Sequence, residues 1–305
     1  MRAAPVIVRL LQALGTLLVA SFVVFALGRI TGNPADTMLP IEATAAERAA
    51  FIERMGFTQP IAIQYWIYLK NAMHGDFGIS LRNNYPVTLL AGEYLLNSLS
   101  LATWAMVFVI IVSIPLGVIA AVQRGRSGDR IAMIIALLGQ ALPPFWTGIV
   151  AVMLFSVYLG WLPTAGMNGW QSYILPATTL GLTIVAGVVR LLRSSMLEVL
   201  DAEYVKLARA KGLSERVVVW KHALRNALIP VVTYLGLMYG QIIAAAITTE
   251  VVFSWPGLGR ATYEALLTRD FPMLQFAVLV WAALIVGVNY LVDLIYLLLD
   301  PRIRL

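Results

Sequence analysis

Residues Leu99–Val122 read LSLATWAMVFVIIVSIPLGVIAAV, a stretch without one charged side chain. A helix rises about 1.5 Å per residue, so this run reaches about 36 Å, longer than the roughly 30 Å hydrocarbon core of a bilayer. Lipid offers no water to the polar backbone of an open strand edge, so the run is read as a membrane-spanning helix. The rest of the chain agrees. Of 305 residues, 60% are hydrophobic and 12% charged, with mean hydropathy +0.82. A soluble domain carries roughly 45–50% apolar and about 25% charged residues. No single globular core could hide that excess. Collagen-like, disordered and disulfide-scaffold readings fail on the same composition, which contains no cysteine.

Working outward from Leu99–Val122, five further apolar runs are long enough to cross: near Val6–Ile30, Ile131–Leu159, Ile174–Leu192, Leu228–Val252 and Phe276–Leu299. The predicted fold class is an all-α membrane protein with six transmembrane helices. Charge sets its orientation. The N-terminus, segments 123–130 and 193–227 and the C-terminus carry fifteen of the 22 basic residues against six acids. Segments 31–97, 160–173 and 254–275, with the span ends flanking them, hold seven basic and nine acidic residues. Lys and Arg mark the cytoplasmic side, so both termini are expected inside. The formal charge of +6 is therefore read as membrane topology rather than as a nucleic-acid patch.

Arg2 and Arg9 ahead of an apolar run also describe a secretory signal. The run Leu10–Leu27 is longer than a signal core, and Gly28-Arg29-Ile30 has no small-residue cleavage pattern, so a retained span is expected. The organisation expected is a first helix over 1–30, an external segment over 31–97 and a five-helix core over 98–305. Within the external segment, Ala45–Met55 reads as a short polar helix. Ile61–Met73, with Tyr65, Trp66 and Tyr68, reads as an amphipathic one suited to an interface. Packing on the bundle and docking of a partner both remain open for it.

Catalytic chemistry is not visible. There is no GxxxxGK[ST] phosphate loop, and His74 and His222 fall on opposite sides of the expected membrane. No metal cluster or serine–histidine relay can be assembled from them. Gly257-Leu258-Gly259 follows Trp255-Pro256 and reads as a turn. The chain is expected to be non-catalytic.

The inner loop 193–227 carries more information. Its segment from Asp201 to Gly212 places Asp201 and Glu203 first and Lys206, Arg209 and Lys211 later, the order a helix dipole favours. Asp201 is the expected N-cap and Gly212 the expected stop. Tyr204, Leu207, Ala208 and Lys211 follow i, i+3, i+4, i+7 spacing and share a face. So short a helix does not hold in water alone. Composition allows a basic interfacial helix or a docking element.

Glu203-Tyr-Val-Lys-Leu-Ala-Arg-Ala-Lys-Gly-Leu-Ser214, followed by His222-Ala-Leu-Arg-Asn-Ala-Leu-Ile-Pro-Val-Val-Thr233, resembles the cytoplasmic loop of bacterial ABC-importer permeases. It is most similar to the B-type subunit of the dipeptide/oligopeptide/nickel group. Gly32-Asn-Pro34, His74-Gly-Asp-Phe-Gly-Ile-Ser80, Phe253-Ser-Trp-Pro-Gly-Leu-Gly-Arg260 and Asp300-Pro-Arg-Ile-Arg304 match the same subunit. Lys206, Leu207 and Ala208 stand where the general permease loop has Glu-Ala-Ala, and Arg225 stands at its later proline. This departure is typical of the peptide subgroup.

The resemblance implies a type I importer permease fold and a half-permease role. The partners it implies are a homologous second permease subunit, two cytoplasmic ATPase subunits and a periplasmic or lipoprotein substrate-binding protein. ATP and Mg would be bound by the ATPases, with no cofactor in this chain. Tyr204, Leu207, Ala208, Lys211 and Gly212 would couple to an ATPase cleft, where a large residue at Ala208 should clash. The implied cargo is di- or oligopeptides, with glutathione, nickel chelates or opines as alternatives. A self-sufficient secondary transporter would need an ion-coupling site and internal repeats, and neither is visible.

For the substrate path or gate, Glu250, Asn289 and Asp293 are the candidates, since ionisable groups at membrane depth face a bundle interior or an aqueous cavity. A structural pair or hydrogen bond between helices is the alternative, and for Asp293 it is the preferred one. Arg190 and Arg193 are expected to snorkel to the inner headgroups. Leu142-Pro143-Pro144 interrupts the third span, as a kink or a break.

Overall fold

The computed structural model describes residues 3–30, 39, 43–54 and 58–299, without the side chains of 3–10, 54, 289 and 291–299. Gly32–Pro34 and Asp300–Arg304 lie outside the described residues. Eleven principal helices follow one another among the described residues: α1 (Ala3–Ile30), α2 (Ala45–Arg54), α3 (Ile61–Met73), α4 (Val87–Val122), α5 (Ser127–Ala141), α6 (Pro144–Ala151), α7 (Ile174–Leu200), α8 (Glu203–Ala210), α9 (Leu224–Val252), α10 (Leu258–Thr268) and α11 (Phe271–Leu299). Short 3-10 turns (Trp170–Tyr173) lead into α7, while wide π-type turns extend α6 (Val152–Tyr158) and precede α9 (Val218–Ala223). No strand occurs among the described residues, only an isolated bridge between Ile79 and Pro86.

Among the described residues five helices are long and apolar enough to cross a membrane, and six spans result if α5 and α6 are taken together. That pair resolves the interruption expected at Leu142-Pro143-Pro144 as a break rather than a kink. Leu142 and Pro143 are extended, Pro144 opens α6 at its first turn, and the chain bends by 102° between the two helices. Pro144 restricts the residue before it to extended backbone and has no N–H to continue α5, so the break is built into the dipeptide. Pro115 and Pro230, by contrast, lie inside unbroken α4 and α9. The second span starts at Val87, twelve residues before the apolar run, because its first turns carry Glu93, Tyr94 and Asn97 and escape a hydropathy reading.

The chain divides into two compact units: Met1–Ser98 with Pro256–Gly287 and Leu305, and Leu99–Trp255 with Val288–Arg304. In the first, α3 lies on α1 through Tyr65, whose ring is 5.1 Å from that of Phe22 and whose hydroxyl is 2.6 Å from that of Ser21. The Ser80 hydroxyl donates to the buried Asp270 carboxylate at 2.5 Å, and Glu264 accepts from Arg260 and Arg82. Burial pushes the Glu264 carboxyl up, but those two guanidinium hydrogen bonds outweigh it and hold it below the usual range. These contacts fasten the segment after α3 to α10.

In the second unit α7 is the central helix, burying Leu180, Val185, Val188, Val189, Leu192 and Met196 against α5, α6 and α9. Close helix contact depends on small residues, as in membrane interiors generally. A Cβ at Gly181 would lie 2.7 Å from the Phe108 ring and 3.0 Å from the backbone carbonyl oxygen of Ala105. Gly181→Val is therefore expected to cost about 1–3 kcal/mol by overpacking, read as a lower thermal midpoint in detergent. An unchanged midpoint would contradict the α4–α7 contact.

Candidate coupling loop and substrate cavity

The loop between α7 and α9 is a folded unit. At the end of α7, Asp201 keeps helical backbone angles, while Ala202 turns extended and offers the carbonyl that accepts the first hydrogen bonds of α8. Ala202 rather than the expected Asp201 is thus the N-cap of α8, and no side chain caps it. The reason is local: α7 runs on eight residues past the expected end of its span, and Asp201 is used in terminating it. The other end agrees with expectation. Gly212 has φ +80°, its N–H donates to the Arg209 carbonyl at 2.9 Å, and the Leu213 N–H donates to that of Ala208 at 3.4 Å. These two bonds form a Schellman motif around a left-handed glycine.

No atom comes within 4 Å of the position a Gly212 Cβ would take, so a substitution there is opposed by backbone conformation alone. Gly212→Ala should cost about 1–2 kcal/mol and raise trypsin cleavage at Lys211 about tenfold in the detergent-solubilised protein. Equal cleavage would show that the turn is not held this way.

The face expected to point outward splits in two. Val205 is fully buried and Ala208 is 7% exposed, packed with Val218, Val199 and Leu200 of the same chain. Tyr204, Leu207 (55% exposed) and Lys211 lie on the exposed side. Within this chain Ala208 therefore anchors α8 on its own loop. The i, i+3 pair Val205/Ala208 is the more apolar stripe of this helix, and its own chain claims it first. Leu213, Val217 and Trp220 of the same loop are exposed as well. The Asn226 amide donates to the Tyr204 hydroxyl at 2.7 Å, tying α8 to the start of α9. Arg209 grips the Glu215 carboxylate with two N–H groups at 3.1 and 2.7 Å across the Gly212 turn, and Lys206 pairs with Glu203 at 2.8 Å. Exposed pairs of this kind contribute at most about 1 kcal/mol each.

The two arginines of α7 behave differently from the expected snorkelling. Arg193 donates from Nε and Nη2 to the Asp129 carboxylate at 2.7 and 2.8 Å. The Gly125 N–H donates to the same carboxylate at 2.9 Å, closing the turn between α4 and α5. Arg190, one turn earlier, donates to the Gln140 side-chain oxygen at 3.0 Å.

Gln140 lines a cavity of about 190 Å³ that the sequence did not reveal. Thr183, Ile184 and Gly187 of α7 and Tyr234, Met238, Gln241, Ile242 and Ala245 of α9 complete it. The lining is legible only afterwards, as helical spacing: Thr183 and Gly187 at i, i+4 on α7, and Tyr234, Met238 and Gln241 at i, i+4, i+7 on α9, while Arg190 reaches it only through its hydrogen bond to Gln140. Gly187 sets its shape, because a Cβ there would meet the Tyr234 hydroxyl.

Glu250 lies near the end of α9, fully buried and apart from the cavity lining. Its backbone carbonyl accepts the Trp255 N–H at 2.8 Å, closing the turn that buries Trp255 against Tyr173. Asn289 and Asp293 belong to α11, but their side chains lie outside the described residues. Among the described residues no three His, Asp or Glu side chains gather as a metal site.

Comparison with known proteins defines the class of this bundle: it is the permease subunit of an ABC importer. The family model described as the binding-protein-dependent transport system inner membrane component matches residues 113–305, and the chain belongs to that family. It is 41% identical over 300 residues to the glutathione transport system permease protein GsiC of Escherichia coli (strain K12), covering 98% of both chains. It is 40% identical, with the same coverage, to the protein of that name from Salmonella choleraesuis. Among solved structures, the inward-facing MetNI methionine ABC transporter matches with TM-score 0.58 and 17% identity over 70% of this chain and 97% of the other. That likeness shows the fold, a type I importer permease.

Proposed function

We propose that this permease subunit carries glutathione, a tripeptide, across the cytoplasmic membrane, rather than serving the broader di- and oligopeptide class. The observation that carries the reading is the likeness to glutathione permeases over 98% of both chains. Both termini and the α8 loop lie inside on this reading, as the basic residues favour. A homologous second permease subunit completes the pathway, a substrate-binding protein delivers cargo from outside, and two ATPases hold ATP and Mg inside.

Coupling runs through α8. The exposed side chains Tyr204, Leu207 and Lys211 enter a cleft of one ATPase, and the Gly212 turn fixes the angle at which the helix is presented. Closure of the ATPases on ATP pushes α8 as a rigid body, and the Asn226–Tyr204 hydrogen bond and the Val205/Ala208 anchor pass that displacement to α7 and α9. A bistable bundle then switches the face to which the pathway opens. Glu250, Asn289 and Asp293 remain candidate gate residues, with Glu250→Gln expected to alter preference for substrate charge. The test is uptake in proteoliposomes holding the full set of subunits: glutathione should be taken up and should stimulate ATP hydrolysis. Uptake of dipeptides with none of glutathione would reject the substrate assignment.

A further inference from the structure

We infer that Arg190, held by Gln140 at the edge of the α7–α9 cavity, makes that cavity a binding site for a carboxylate carried on an amide-containing substrate. The inference rests on the proposed import of a peptide and names the part of the chain that receives its acidic end.

Four observations carry it. First, the cavity is lined by groups that recognise amides: the carboxamides of Gln140 and Gln241, the Tyr234 phenol and the Thr183 hydroxyl, backed by Ile184, Met238 and Ile242. Thr183 spends its hydrogen on the Leu180 carbonyl at 2.9 Å and keeps its lone pairs to accept. The Gln140 side-chain oxygen accepts the Arg190 N–H hydrogen bond, which leaves its NH₂ to donate. The Tyr234 hydroxyl and the Gln241 carboxamide bond no other described residue.

Second, no lining residue is acidic. Third, Arg190 has no carboxylate partner among the described residues, whereas Arg193 on the same helix is neutralised by Asp129 through two hydrogen bonds. A neutral glutamine orients the Arg190 guanidinium without cancelling its charge. Fourth, Arg190 stands on the long apolar helix Trp170–Leu200 with its side chain exposed rather than packed away, so the guanidinium is open to an approaching anion. A guanidinium fork suits a carboxylate in particular. Glutathione offers two carboxylates and two amide bonds, matching both halves of the lining.

A lipid phosphate could also neutralise Arg190, and the experiment separates the two. Met238→Cys places a single thiol in the cavity of a chain that otherwise has none. In the assembled transporter, its labelling by the anionic sulfonatoethyl methanethiosulfonate is compared with that by the cationic trimethylammonioethyl reagent, read as mass shifts of this subunit. Arg190→Gln should lower the anionic-to-cationic rate ratio about tenfold, and Arg190→Lys, which keeps the charge, should leave it within about threefold. S-methylglutathione, which has no thiol to consume the reagent, should slow labelling when Arg190 is present and not in Arg190→Gln.

A ratio indifferent to Arg190→Gln would overturn the inference, since it would mean that lipid or solvent already neutralises the charge. Equal loss of the ratio in Arg190→Lys would also overturn it, pointing to distortion of the cavity. The proposed function fails separately, when the wild-type transporter takes up no glutathione.

Discussion

Ala208→Trp is expected to abolish ATP-driven uptake while membrane insertion and the span helices remain intact. Ala208 is 7% exposed and packs with Val205 against Val199, Leu200 and Val218. Burying a valine is worth about 1.5–3 kcal/mol, and an eight-residue helix has almost no stability of its own. Forcing an indole into that contact costs about 1–3 kcal/mol or more, comparable to everything that holds α8 in place. The helix should leave its loop, and trypsin should cut at Lys206 and Arg209 even without the ATPases. Leu207→Asp separates this effect from loss of a partner. Leu207 is 55% exposed, so the loop should stay folded and resist trypsin while uptake falls. Should Ala208→Trp leave uptake and cleavage unchanged, the anchoring role is wrong.

Arg193→Ala should be the next most damaging single change. It removes both hydrogen bonds that Arg193 makes to Asp129 and leaves a nearly buried carboxylate with only the Gly125 N–H. Losing one partner of a charged hydrogen-bonded pair costs about 2 kcal/mol or more, because the remaining charge stays desolvated. The damage should concentrate at the 123–129 turn and the start of α5. Hydrogen exchange of the Gly125 amide reports it directly, with faster exchange expected in the variant. The double variant Asp129→Asn with Arg193→Gln removes both charges and should recover part of the loss. Exchange at Gly125 equal to wild type in Arg193→Ala would contradict the pairing.

How far sequence could see depended on whether a feature was written in one segment or two. The spans were legible because lipid demands an unbroken apolar run, and the Gly212 stop because a left-handed residue after a helix favours glycine. The start of α4 at Val87 was missed because polar Glu93 and Asn97 sit in its first turns. The bend between α5 and α6 was visible as Pro143-Pro144, but its 102° size was not. The packing of Ala208 against its own loop was not legible in the spacing of α8. Periodicity gives two overlapping faces on a short helix, and only the position of Val218, ten residues on, decides which one is buried. The Asp129–Arg193 pair and the α7–α9 cavity were invisible for a related reason. Each joins residues about fifty or more positions apart, and nothing local marks Gln140, Gly187 or Tyr234 as neighbours.

The central claim is that α8 shows its Tyr204–Leu207–Lys211 side to an ATPase and keeps Val205 and Ala208 for its own loop. A photo-cross-linking amino acid placed singly at Leu207 and at Ala208 in the assembled transporter tests it most directly. The account predicts that Leu207 captures the ATPase and that Ala208 yields only links within this subunit. Capture of the ATPase from position 208 with none from 207, or from neither position, would contradict it.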